Sequence, residues 1–377
     1  MIATAAHLAA LPRLDLAGLD TPSLVVDEDL LRRNIAEMAA FATSVGVALR
    51  PHIKTHKTPQ IARLQIGAGA IGITCAKLGE AEVMISQGGV DDILIAYPVV
   101  GDLKIRRLLT LMDRARMIVA LDTREAAQAL SRAMVTAGRT LEIYVEVNTG
   151  QNRAGVRVGD EAVALALDLA RLKGLRLIGI MTHEGHSHTV SPAEIEATAI
   201  AAGRAMVETA ETIRGHGIEL PVVSVGSTPA ATFTPTVPGI TEMRPGTYVF
   251  NDVSTMQWGR IGPEDCALRI LATVISRPAP DRAVIDAGSK TLSLERAPNH
   301  PGHGYIVEHP RAIIVRLSEE HGVIELPPDE PGFQVGERVS VIPNHVCPTV
   351  NLQDRLFLMH EGHLAEAWTI AARGKVQ

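Results

Sequence analysis

The chain has 377 residues, 46% hydrophobic and 21% charged, with 36 Lys plus Arg against 42 Asp plus Glu and a formal net charge of −6. That length and texture suit two domains, or one large α/β barrel with an appended part, and exclude disorder as the main theme. An acidic chain with 3% aromatics lacks the basic field and stacking residues of nucleic-acid binders, and no stretch approaches the roughly 20 apolar residues of a spanning helix.

In chain order, the N-terminal MIATAAHLAALP is apolar but has no basic segment before it, so no secretory signal is expected and the cytoplasm is the default. From residue 22 to residue 255, short runs of Val, Ile and Leu alternate with amphipathic stretches. The runs are SLVVD (23–27), VALRPHIK (47–54), GITCA (72–76), DILIAYP (92–98), MIVALD (117–122), LEIYVEVN (141–148), LIGIMTHEG (177–185) and VVSVG (222–226). Their apolar character is near-continuous, as in strands covered on both faces. The spacing of Leu30, Leu31, Ile35, Met38 and Phe41 predicts a helix over 28–45, and 123–139 and 192–217 repeat that pattern. Eight strands alternating with helices predict a (β/α)8 TIM-type barrel. A doubly wound sheet is disfavoured, because no Gly-x-Gly-x-x-Gly turn follows the first run. Beyond residue 255, short strands with frequent Pro and Gly predict a C-terminal mostly-β domain over 256–377, to which 1–21 is added.

The second run ends in Arg50-Pro51-His52-Ile53-Lys54-Thr55-His56-Lys57. Strand C-termini carry the active site of such a barrel, and strand alternation puts His52 and Lys54 on one side. A lysine pointing inward is desolvated and becomes a Schiff-base candidate; a solvated basic strand end is the other reading. The seventh run leads into Thr182-His183-Glu184-Gly185-His186-Ser187-His188, whose imidazoles are candidate general bases or metal ligands, with one or two of them bystanders. Arg153 follows the sixth run and could meet an anion or a ring nitrogen. Gly226-Ser227-Thr228 after the eighth, and Arg244-Pro245-Gly246-Thr247-Tyr248 soon after, are either plain turns or a phosphate site. In the β domain, His345 and Cys347 fall two apart and would share a face of an extended segment, offering an imidazole and a thiolate to one divalent metal. A buried cysteine beside a structural histidine is the alternative. The three cysteines, Cys75, Cys266 and Cys347, are too few and scattered for a disulfide framework, which points to a reducing compartment.

Taken together and in order, these segments resemble the D-threonine aldolase and D-serine dehydratase-like group of pyridoxal-phosphate enzymes, over nearly the whole chain. The resemblance implies an alanine racemase-like fold, a barrel followed by a β domain, and a homodimer. It implies that Lys54 holds pyridoxal phosphate, that His52 and His183 lie beside it, and that Arg153 faces the pyridine nitrogen. Gly226, Ser227, Thr228, Gly246 and Tyr248 would hold the phosphate. His345 and Cys347 would bind a divalent metal, and His188 or His186, with His183 the less favoured alternative, would take the substrate's hydroxyl proton. A soft thiolate favours Zn2+, whereas the aldolase resemblance implies Mn2+, with Mg2+ also open. The implied activity is retro-aldol cleavage of D-3-hydroxy amino acids to glycine and an aldehyde. The alternatives are a D-serine or D-3-hydroxyaspartate dehydratase and a non-catalytic pyridoxal-phosphate carrier. The partner is thus a small molecule, with no nucleic acid and no membrane.

Overall fold

A computed structural model of the protein describes residues 18–329 and 332–377, with His188 described by its backbone alone. The chain divides into two compact units. One comprises Ile35–Tyr248 with Gly374–Gln377, and the other takes the described residues up to Asn34 with Val249–Arg373.

The first unit is built on eight parallel strands. In chain order they are Ala48–Leu49, Ile73–Cys75, Asp92–Ile95, Arg116–Leu121, Leu141–Asn148, Leu175–Met181, Val222–Val225 and Glu242–Met243. A parallel bridge between His52 and Thr74 joins the first strand to the second and closes the sheet on itself. Intervening helices such as Arg124–Thr136 and Ile195–Gly215 turn an apolar stripe inward, which is why the strands read as continuous hydrophobic runs. The eight expected strands are thus shifted by one. Ser23–Asp27 was expected to open the barrel, but it pairs antiparallel with Leu268–Ala279 and parallel with Arg355–His360 in the other unit. The vacant place is taken by Glu242–Met243, two residues too short to stand out as a run.

The barrel floor is ionic. Arg50, only 1% exposed, bonds Glu242 at 2.8 Å and Asp92 at 2.5 Å. Arg116 reaches Asp92 at 2.7 Å and Glu142 at 2.6 Å, and Arg176 also pairs with Glu142. These groups sit at or near strand starts, the end of a barrel that governs stability rather than chemistry.

In the second unit, Leu268–Ala279, Arg282–Ile285, Gly322–Glu325, Ile313–Leu317, Tyr305–Ile306 and Arg338–Ile342 pair in that order. Arg338–Ile342 pairs back onto Leu268–Ala279, so this ring also closes. Ser23–Asp27, Arg355–His360 and His363–Thr369 extend it from the long strand. No helix among the described residues is long and apolar enough to cross a membrane.

Candidate active site

The first barrel strand ends at Leu49, and Ile53 to Lys57 form a turn closed by Lys57 N–H to Ile53 C=O at 2.8 Å. Lys54 therefore stands on a turn, not on the strand that sequence alternation had assumed. It is half-buried, and its N–H lies 3.4 Å from His52 Nδ1. Burial, and then the charge of Lys54, push the His52 imidazole well below its usual range.

The histidine segment follows the sixth barrel strand. Thr182 C=O accepts from Arg244 Nη2 at 2.6 Å, and His183 Nδ1 bonds Gly226 C=O. A carbonyl only accepts, so Nδ1 carries the proton and Nε2 keeps its lone pair. Burial, followed by the charges of Lys54 and Arg153, holds His183 well below its usual pKa and therefore neutral. His186 is half-buried on a short helical turn, its pKa lowered by burial and its Nδ1 without a partner. Gly150 packs on its ring, where a Cβ would stand 3.0 Å away. The His188 side chain, expected as a candidate base, lies outside the described residues. Arg153 is exposed, yet its charge reaches both His183 and the buried Glu146.

The turns after the seventh and eighth strands form a cradle. Thr228 Oγ1 accepts from Thr247 N–H at 3.1 Å and from Gly246 N–H at 3.4 Å. A Cβ on Gly246 would lie 2.9 Å from both His52 O and Thr55 Oγ1, so only glycine lets these segments close up. The buried Tyr248 Oη accepts from Gln65 Nε2 at 2.9 Å, which leaves its own proton to donate elsewhere. Gly226 differs from what was expected of it. Its N–H is taken by Glu184 Oε2 at 2.8 Å and its C=O by His183, so it shapes the turn and offers no amide to an anion. Ser227 is buried beside it, with Oγ 3.4 Å from Glu184 O. Small residues, the hydroxyls of Ser227, Thr228 and Tyr248 and a nearby lysine fit a phosphate monoester carrying an aldehyde, as in pyridoxal phosphate.

The second unit brings His345 and Cys347 together, though not on one extended segment. His345 is extended and precedes the short helix Val346–Asn351, which contains Cys347. Glu295, fifty positions earlier, bonds His345 Nδ1. Burial opposes the charge on His345, but Cys347, Glu295 and the buried Asp252 hold its pKa up at about 11. Asp252 is itself spent on the N–H groups of Thr255 and Val346, at 2.9 Å and 3.0 Å. Among the described residues no group of three His, Cys, Asp or Glu is placed to hold a metal. The imidazole–thiol pair therefore fits an ion only if water or substrate supplies its remaining ligands.

The sequence motifs gave Arg244 and Glu184 no role, and Glu295 carries no local signal at all. Each is defined by a partner distant in the chain.

A lysine past the first strand of a closed parallel barrel, hydroxyl-bearing turns after the last two strands and a separate β unit define an alanine racemase-like pyridoxal-phosphate enzyme. The chain belongs to that family: residues 26–253 match the model described as alanine racemase, N-terminal domain, and 267–359 match the putative serine dehydratase domain. It is 35% identical over 368 residues to a D-threonine aldolase from Arthrobacter sp, covering 97% of this chain and 96% of that one. It is also 35% identical over 355 residues to D-threo-3-hydroxyaspartate dehydratase from Delftia sp. (strain HT23), covering 89% and 92%. The crystal structure of D-threonine aldolase from Filomicrobium marinum superposes with a TM-score of 0.89 at 36% identity, covering 98% of this chain and 100% of that one. A cysteine-to-alanine variant of D-threo-3-hydroxyaspartate dehydratase, solved in its metal-free form, gives 0.87 at 33% identity, covering 93% and 97%. These relatives are lyases of D-amino acids, and the chain is an enzyme of that broad kind.

Proposed function

We propose that the protein is a D-threonine aldolase-type lyase, cleaving D-3-hydroxy amino acids to glycine and an aldehyde with pyridoxal phosphate and a divalent metal. The observation that carries this is the coexistence, in one chain similar end to end to a D-threonine aldolase, of the Lys54 cradle with the His345–Cys347 pair. Racemisation or simple cofactor carriage has no use for a metal.

Pyridoxal phosphate, when bound, supplies an electron sink for the bond that breaks at the substrate's α-carbon. Lys54 would hold it covalently, with Ser227, Thr228, Gly246 and Tyr248 around its phosphate. Arg153 would face the ring nitrogen, where a cation keeps that nitrogen unprotonated. His183, fixed in one tautomer with Nε2 as acceptor, would stay neutral beside the cofactor. His345 and Cys347 would hold the metal, Mn2+ being the aldolase expectation, whose chemistry is to lower the pKa of a bound hydroxyl. His186 or His188 would then accept the β-hydroxyl proton. We expect the chain to work as a homodimer in the cytoplasm.

A D-3-hydroxyaspartate dehydratase is the second reading. It is favoured by equal identity to the Delftia enzyme, whose cysteine variant exists in a metal-free form, while Cys347 is the thiol of this chain's own pair. Incubation with D-threonine, pyridoxal phosphate and Mn2+ separates the two. Glycine with acetaldehyde supports the aldolase, whereas ammonia with 2-oxobutanoate moves the protein to the dehydratases. Should D-threonine survive intact while D-3-hydroxyaspartate releases ammonia, the aldolase reading is equally lost.

A further inference from the structure

Glu184 sits inside the histidine run, yet its side chain is completely buried. Its Oε2 takes the Gly226 N–H, its backbone O lies 3.4 Å from Ser227 Oγ, and its neighbour His183 takes the Gly226 C=O. Two consecutive residues of the loop after the sixth strand thus clasp two consecutive residues of the loop after the seventh. Both peptide groups of Gly226 are pinned, which fixes where Ser227 and Thr228 present their donors. A Cβ at Gly226 would lie 2.9 Å from Arg244 Cβ, so the turn is confined on its other side as well.

The second carboxyl oxygen, Oε1, is buried without a hydrogen-bond partner. The narrow void against Glu184 is lined mostly by apolar groups, Ala230, Ala231, Pro235 and Met243 among them, with Ser227 the other polar side chain, and it is too small for a water molecule. An ionised carboxylate with one oxygen left in such a lining is disfavoured by a desolvation that the Gly226 amide, the Arg244 charge and the Thr234 hydroxyl offset only in part. The cation that faces it, Arg244, directs its guanidinium to Thr182 O and Ser224 Oγ instead, and the neighbouring His183 is neutral.

We propose that Glu184 is a positioning residue for the cofactor-phosphate turn, clasping the Gly226 amide as a neutral carboxylic acid. The proposal rests on the pyridoxal-phosphate reading and adds a residue to it. Burial raises the carboxyl's pKa against the pull of its own amide, the Gly226 amide, Arg244 and the Thr234 hydroxyl, in agreement with the geometry. A proton on Oε1 also provides a donor for the Thr234 hydroxyl, which is buried next to this carboxyl. The neutral form matters because a second anion beneath the turn would repel the phosphate that the turn binds.

The test compares wild type with Glu184→Gln, Glu184→Leu and Glu184→Asp. Two quantities are read: the pyridoxal-phosphate dissociation constant by absorbance titration, and hydrogen exchange of residues 222–229 in cofactor-free protein. Glutamine keeps a carbonyl acceptor and neutrality, so its affinity stays within about twofold of wild type. Leucine lacks the acceptor and aspartate falls short of the amide, so both bind about tenfold more weakly and exchange faster at Gly226. Wild-type affinity and exchange in the leucine variant would overturn the clasp. Glutamine weakened as far as leucine would overturn the neutral form. Should circular dichroism show the leucine variant unfolded, aspartate decides on the same two readouts. If wild type itself binds no pyridoxal phosphate, the cofactor reading fails, and exchange in the cofactor-free protein still decides whether Glu184 holds Gly226.

Discussion

At the scale of single residues, chemistry is concentrated in side chains that the fold has half-buried. Lys54 stands on the turn just after His52, and His183 is kept neutral by burial and by the charges of Lys54, Arg153 and Arg244. Lys54→Ala is expected to abolish the visible absorbance of bound pyridoxal phosphate and to remove turnover. Absorbance at the wild-type level would refute the assignment. His345→Ala and Cys347→Ala are each expected to lose bound metal by elemental analysis while cofactor absorbance persists, because the pair lies in the unit that does not contain Lys54. The sequence singled out these residues as candidates, but not their local geometry, since a turn at Lys54 and a short helix at Cys347 stand where extended segments were expected. The roles of Glu295 and Arg244 were not legible, since a carboxylate that meets His345 across fifty positions leaves no trace in the residues next to it.

At the scale of elements, the site depends on turns that tolerate no added volume. Gly246→Ala would put a methyl 2.9 Å from His52 O and Thr55 Oγ1, one of them backbone that cannot swing aside. The expected outcome is a loss of about 1–3 kcal/mol in stability together with weaker pyridoxal-phosphate binding, checked by thermal unfolding and titration. The helices over 28–45, 123–139 and 192–217 are observed as Glu28–Ser44, Arg124–Thr136 and Ile195–Gly215, since a 3.6-residue apolar stripe is a local property. Strand membership was not readable in the same way. Ser23–Asp27 is as apolar as any barrel strand because it too is covered on both faces, and only its partners place it in the antiparallel sheet. The two-residue strand Glu242–Met243 owes its existence to neighbours on either side, Val222–Val225 and Ala48–Leu49.

Across the whole molecule, buried charge and buried imidazole set the response to mutation and pH. Arg50→Ala would strand Glu242, whose side chain is 3% exposed, without its cation. A loss of about 3–5 kcal/mol is expected, seen as a lowered unfolding midpoint. His56 is fully buried, with Nδ1 accepting Thr58 N–H at 3.1 Å and Nε2 facing Gln65 Oε1 at 3.2 Å. Burial lowers its pKa from 6.5 to about 3, so between those values the unfolded chain binds a proton that the folded chain refuses. Its contribution is therefore complete above pH 6.5 and declines as pH falls toward 3, by up to about 1.4 kcal/mol per pH unit. His56→Gln should flatten that acid limb of stability measured against pH; an unchanged limb would assign it to other groups. The sequence by itself determined three helices, seven of the eight barrel strands and the change to a β-rich second part, and it singled out the candidate site motifs, because each is written in nearest-neighbour spacing. Only the tertiary structure decided which strand opens the barrel, that its floor is a chain of ion pairs, and that Gly226 is clasped by Glu184. Those outcomes depend on pairings between residues tens to hundreds of positions apart, where burial rather than local spacing selects the partner.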